Sequence, residues 1–469
     1  MSDTNPFGDY QNVTDLVAHY EETEKKNASL FLDEASFEQL IDYYELNKRS
    51  DKASRVAELA IEQYPFSSYF LVKKAQFLFD ARQFDQALEI LQKAEALDLN
   101  DMQIQLLRAD IYVWMEDFRK AIATIEYAMT LGDEHDLPDL YLELADVYEE
   151  WEKYNDVFEC LKKALEYDPK SEEALNRMWF CVEFIEKYEE SVEFHKRIID
   201  QEPYSHIAWF NLGHAYAGLG EYEKAVESFD FVLAINEKSE YAYKDCADVL
   251  FRMENYRKAI EYYKGALEVA RPSKEVYYNI GECHECLSEY AMARNYYRKS
   301  ANLDPNFHPA FFRIGLCYRA EEKWSNALSS LERAYKLKDD DPDYIEMLAD
   351  AYYELGDLDA AIELFAKAID IRPESREGWL SLARTLLESG MYRDAFTVLD
   401  DACDQFDDAA EIIYVKSAYY FLVGNKKEAL LNLEKALLID YKLHPVVFEI
   451  TPQMEKDAAV QQLVNQYHS

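Results

Sequence analysis

The stretch Trp209-Phe210-Asn211-Leu212-Gly213-His214-Ala215-Tyr216, followed by Ala225 and Phe229, decides the fold. At helical spacing Trp209, Leu212, Gly213 and Tyr216 belong to one helix, and Ala225 and Phe229 to a second, antiparallel one. The small residues Gly213 and Ala225 let the two backbones approach. Trp209, Leu212, Tyr216 and Phe229 then fill the space around that contact. Gly218-Leu219-Gly220 between them reads as the turn. A single hairpin of this kind cannot bury its own apolar face, so everything depends on recurrence.

The pattern recurs along nearly the whole chain. The small residue that opens the second helix is Ala53, Ala87, Ala121, Val157, Ser191, Ala225, Ala259, Ala293, Ala327, Ala361, Ala395 and Ala429. Every interval is 34 residues except that from Ala121 to Val157, which is 36. The matching position in the first helix is Ala75, Ala109, Ala145, Gly213, Ala247, Gly281, Gly315, Ala349, Ala383 and Ser417, with Ile41 and Trp179 as departures. Pro65, Pro169, Pro203, Pro305 and Pro373 share one phase, where a second helix must end because proline cannot continue it. Gly132 to Pro138 carries the two extra residues as a loop insertion, which costs little.

These residues resemble the tetratricopeptide-repeat (TPR) family over residues 34–443. The resemblance implies an all-α fold, a right-handed α-solenoid of about twelve helix-turn-helix repeats. Residues 1–33 are expected to form an acidic N-terminal segment, partly disordered, with a short helix from about Leu16 to Lys26. Residues 444–469 are expected to form a C-terminal capping helix, with Val460, Leu463, Val464 and Tyr467 on its apolar side. The fifth repeat, about 172–205, is the least regular: Trp179 stands where a small residue belongs, opposite Ser191. Compensation inside that one hairpin is the simple expectation, and a local change of superhelical pitch the sharper one. The absence of an appended domain resembles long stand-alone bacterial members of the family.

Bulk properties bound the function. Length alone suggests about three domains, but a repeat stack forms one continuous core. The chain carries 92 acidic and 50 basic residues, a net charge of −42. Such a surface repels nucleic-acid backbones and anionic membranes, so neither is an expected partner. The seven cysteines are odd in number, scattered and mostly helical, as expected of reduced thiols used as small core residues. Met1 to Tyr20 holds no apolar run long enough for a secretory signal, no stretch approaches the length of a membrane span, and the expected location is cytoplasmic.

No catalytic residues, cofactor or metal are expected. The 12 glycines form no phosphate-binding loop, and neither a His-Glu-x-x-His motif nor a nucleophile elbow occurs. Cys283-His284-Glu285-Cys286 has metal-like spacing but lies inside a predicted helix, at phases used for packing, and lacks a second ligand pair. Asp339-Asp340-Asp341-Pro342-Asp343 lacks the spacing and closing glutamate of a calcium loop and reads as a solvated turn.

The family resemblance implies that the first helices line a concave groove where partner peptides or helices bind. Counting from the small residues, the inward phases of the first four repeats hold mainly acids: Glu38, Asp42, Glu45, Asp80, Asp110, Asp139, Glu143, Asp146, Glu149 and Glu150. At the same phases the middle holds Asn176, Arg177, Phe210, Asn211, His214, Lys244, Arg252, Tyr278, Asn279, Phe312, Arg313 and Arg319. Asparagine amides suit a peptide backbone, arginines suit a partner's carboxylates, and the aromatics supply contact area. The competing reading is that the arginines neutralise Asp245, Asp248, Glu275, Glu282 and Glu285 of adjacent repeats. Asn211 and Asn279 match the central asparagine of the family's carboxylate clamp, but the lysine and asparagine of the preceding repeat are missing. The leading expectation is a non-catalytic interaction scaffold for protein or peptide partners. The alternative is a regulatory module that senses a peptide or ligand and changes pitch.

Overall fold

A computed structural model describes residues 10–26 and 30–467. Among them the chain is all-α, without a strand, and divides into two compact units, 1–237 and 238–469. The segment before Tyr10, expected to be disordered, lies outside the described residues.

The first unit holds an N-terminal helix, Tyr10–Lys25, and six helical hairpins; the second holds six more hairpins and a C-terminal tail. The hairpin of the opening stretch is His206–Gly218 and Tyr222–Ile235, as its spacing predicts. Every small residue of the second-helix series is buried, as is every small residue of the first-helix series. The reason is steric. A Cβ on Gly213 would lie 2.7 Å from the Phe229 ring, one on Gly281 2.6 Å from Tyr297, and one on Gly315 2.5 Å from Leu331. The facing residue always lies sixteen positions on. At Ile41 the sizes are exchanged, since the residue sixteen on is Ala57, and both are fully buried in one core.

Caps and turns explain the ends. Ser171, Ser205, Ser239, Ser273 and Ser375 each accept a hydrogen bond from the backbone N–H three residues on, closing the start of a first helix. Asp341, from the acidic run, caps its helix by accepting from Asp343 N–H, two residues on, and pairs with Lys338 at 2.8 Å. Each of the twelve turns inside a hairpin passes through one left-handed residue. Only Gly220, Gly356, Gly390 and Gly424 are glycines there. Lys48, Arg82, Glu116, Glu152, Glu186, Glu254, Ser288 and Glu322 adopt φ of 54–59° in the others.

Both ends are covered. Val13, Val17 and Tyr20 of the N-terminal helix are buried against the first repeat, and Glu21 reaches Lys52 at 2.5 Å. That helix starts earlier than the sequence suggests because Val13 extends its apolar stripe. At the other end Pro445–Ile450, the 3-10 turn Pro452–Lys456 and Ala458–Gln466 bring Val447, Met454, Val460 and Val464 into one buried core with Leu433 and Leu437, so the tail is two short α-helices joined by a turn rather than one helix.

The fifth repeat departs from its neighbours. Its helices, Glu172–Ile185 and Tyr188–Gln201, scarcely touch, and the first packs instead on the first helix of repeat six. Trp179 and the residue sixteen on, His195, are both large, so neither makes room for the other. The Trp179 indole stacks on His214 of the next repeat, with ring centroids 5.3 Å apart. Compensation therefore comes from the neighbouring repeat, not from within the hairpin.

Candidate functional site: the first-helix wall

Within each unit the first helices of successive repeats present side chains to one another, and these form the wall on which the candidate residues lie. In the first unit Arg177 sets its guanidinium 2.6 Å from Asp146 and 2.7 Å from Glu149 of the preceding repeat, with Glu173 at 3.7 Å. Burial opposes its charge, and the two flanking carboxylates more than restore it. Burial likewise pushes the Asp146 carboxyl up, against the pull of Arg177. Desolvation, with neighbouring acids adding to it, also raises Glu143, and lifts Asp110 to about 6.

Asn176 is exposed beside Arg177, and together with Glu149, Tyr154, Trp179 and Phe180 they border a cavity of about 280 Å³. Phe210 meets His214 edge-on at 4.6 Å and Phe229 at 5.7 Å. Asn211 behaves differently from the expectation. It is buried, and its Nδ2 donates to Leu175 O at 2.7 Å and to His195 Nε2 at 3.2 Å. Both amide hydrogens are therefore committed to joining repeats five and six, leaving none for a peptide backbone.

In the second unit Arg313 repeats the Arg177 arrangement. It reaches Glu282 at 3.0 Å and Glu285 at 3.3 Å in the preceding repeat, and its Nε donates to Tyr278 Oη at 3.2 Å. Burial raises the Glu282 carboxyl, with Arg313 opposing. Lys73 and Glu45, at 2.8 Å, make the same contact between repeats one and two. In all three cases the acid stands 28 residues before the base, a spacing readable from sequence. The competing reading of the inward arginines thus describes Arg177 and Arg313.

The remaining candidates are spread along the wall. Lys244 pairs with Glu240 in its own helix. Arg252 is exposed, and with Lys244 it lowers an Asp248 carboxyl that burial raises. Asn279 Nδ2 donates to Tyr263 Oη at 3.3 Å. Phe312 stacks on Tyr344 at 4.3 Å, and Arg319 turns its Nη1 to the Met347 sulfur at 3.5 Å. Phe251, Glu282, Glu285, Tyr290 and Arg313 border a cavity of about 340 Å³. Beyond repeat nine, Glu346, Asp350 and Glu377 occupy the same inward phases in repeats ten and eleven, a placement the 34-residue spacing carries in the sequence.

Cys283 and His284 are packing residues. Burial raises the Cys283 thiol to about 12, and His284 Nδ1 lies 2.7 Å from Glu289 Oε2 with its ring stacked on Tyr296. Among the described residues no three His, Cys, Asp or Glu side chains gather as metal ligands, and no helix is long and apolar enough to cross a membrane.

Sequence-family models agree with this geometry. Two tetratricopeptide-repeat models match, one at residues 204–271 and 242–306 and the other at 138–171. The chain is a tetratricopeptide-repeat protein. The model of "Anaphase-promoting complex, cyclosome, subunit 3" matches residues 320–402 of this TPR chain. Among solved structures, the C-terminal part of a TPR repeat-containing protein from Cytophaga hutchinsonii is 18% identical, covering 52% of this chain and 99% of its own, with a TM-score of 0.43. YrrB, described as a TPR protein with an unusual peptide-binding site, is 22% identical over 39% of this chain and 95% of its own, at a TM-score of 0.35. The Cut9–Hcn1 hetero-tetramer of the APC/C is 15% identical over 97% and 99%, at 0.32. No curated protein matches the chain.

Proposed function

We propose that this TPR protein is a non-catalytic scaffold that docks partner proteins or peptides along the first-helix wall, as the concave groove of its superhelix. The observation that carries the reading is that the wall has openings bordered by polar and aromatic side chains at the inward phases of the first helices. Asn176, Arg177, Phe210 and His214 serve the first unit. Lys244, Arg252, Tyr278, Asn279, Phe312, Arg313 and Arg319 serve the second. Phe210 and Phe312 act as anchors, since half-buried aromatics give contact area at little conformational cost. Asn211 contributes by holding repeats five and six together. The one thiol at the 280 Å³ opening, Cys181, is pushed up to about 12 by burial, so it stays protonated and is a poor nucleophile.

A photo-crosslinking side chain placed at Phe210 or Phe312 of the full chain, in its native cell, tests this. Mass spectrometry should identify the same partner from both positions, and not from crosslinkers at the exposed second-helix residues Glu89 or Glu363. Equal capture from all four positions, or capture only from the latter two, would refute groove docking.

A further inference from the structure

The second unit has another opening in its wall, a cavity of about 380 Å³ spanning the first helices of repeats nine to eleven. Its apolar lining includes Phe312, Leu316 and Met347, and its rim carries Asp343, Glu346, Asp350 and Glu377 against Arg319. These four acids are not equivalent. Arg372 holds both Asp343 and Glu346, each at 2.7 Å. No ion pair among the described residues closes on Asp350 or Glu377. The nearest cations are engaged elsewhere, Arg319 on the Met347 sulfur and Arg384 over the Tyr353 ring at 4.5 Å. Desolvation raises the Asp350 carboxyl to about 6, with Glu377 and Glu346 adding to the rise and Arg384 and Arg319 opposing it.

We propose that this cavity receives the cationic side chain of a lysine or arginine in a partner peptide, stem on Phe312, Leu316 and Met347 and head against Asp350 and Glu377. The inference rests on the groove-docking reading and specifies the chemistry of the occupant. A long basic side chain suits the site because its methylenes match the lining while its charge reaches the rim. A crowded carboxylate without a bonded counter-ion gains more from an arriving cation than one already paired. An acidic side chain would add like charge at the same place. At longer range the net charge of −42 draws basic segments towards the chain.

The test uses the full chain and a random dodecapeptide library displayed on phage. Selection should enrich peptides with lysine or arginine at one fixed position. The selected peptide, made synthetically, should lose about tenfold or more in affinity for Asp350→Asn/Glu377→Gln, and as much when its basic residue is replaced by norleucine. Glu89→Gln/Glu126→Gln removes the same charge from exposed second-helix sites and should change affinity by no more than about twofold. Enriched peptides without a basic residue, or equal weakening by the two double variants, would overturn the proposal. Ser381→Trp, which fills the cavity, separates the two readings. Loss of binding there with none in Asp350→Asn/Glu377→Gln keeps groove docking and rejects the cation. No enrichment at all, or no effect of Ser381→Trp, rejects the cation site, whereas groove docking stands or falls on crosslinking from Phe210 and Phe312.

Discussion

His195 makes the irregular fifth repeat sensitive to acid, by an amount the structure sets. The imidazole is fully buried, its Nδ1 2.8 Å from Ser191 O and its Nε2 3.2 Å from Asn211 Nδ2. Since a carbonyl can only accept, Nδ1 carries the proton and Nε2 accepts from the amide. A second proton on Nε2 would face the Asn211 amide group and break its link to repeat six. Burial accordingly pushes the imidazole down to about 4 from an ordinary 6.5. At pH 7 neither the folded nor the unfolded chain binds this proton. Below 6.5 the unfolded chain takes it up and the folded one does not. Stability therefore falls by about 1.4 kcal/mol per pH unit until His195 itself titrates, a total of about 3 kcal/mol.

Carboxylates in the same unit act in the opposite sense. Asp110, at about 6, and the raised Glu143 and Asp146 bind protons in the folded state before the unfolded one, adding stability as pH falls. Wild type must therefore be compared with His195→Gln, which keeps the carboxylates and removes the imidazole. Hydrogen exchange over residues 172–201 reads this local unit better than a global melt does, because repeat arrays open piecewise. The stability of wild type relative to His195→Gln should decline by about 3 kcal/mol from pH 7 to 4. Ring-nitrogen NMR should show the Nδ1–H tautomer throughout. A difference that stays flat with pH, or an imidazole titrating near 6.5, would refute the reasoning.

Three further outcomes follow from the turns and the wall. Glu254→Gly should stabilise by about 0.5–1 kcal/mol, because it relieves a left-handed conformation at the expense of a looser unfolded chain. Gly356→Ala should destabilise by a similar amount, since an added Cβ meets nothing within 4 Å and only the φ of 85° resists it; urea denaturation with matched m-values checks both. Arg177→Glu should destabilise the first unit by about 1–3 kcal/mol, by leaving Asp146, Glu149 and Glu173 facing a fourth carboxylate. Added salt should recover part of that loss, whereas a salt-independent deficit would point to lost packing instead.

The arrangement of twelve hairpins was legible in sequence because it depends on contacts made within about 34 residues. Two helices can close only where one partner is small, so Gly213 facing Phe229, with its counterparts repeated in phase, leaves few alternatives. The inward phases could be counted from the same residues, and that count placed Arg177 and Arg313 on the wall. It did not show that each arginine is held by acids of the repeat before it. That depends on how far one first helix is turned relative to the next, and on the reach of both side chains. Tertiary packing likewise decided that Trp179 leans on His214, that Asn211 is sealed inside, and that no cation among the described residues pairs with Asp350 or Glu377. Local spacing determines which helices form and which faces they bury. Which charges meet is settled only when neighbouring repeats dock, because a carboxylate and a guanidinium interact through distance and solvent exposure, and neither is a property of one repeat alone.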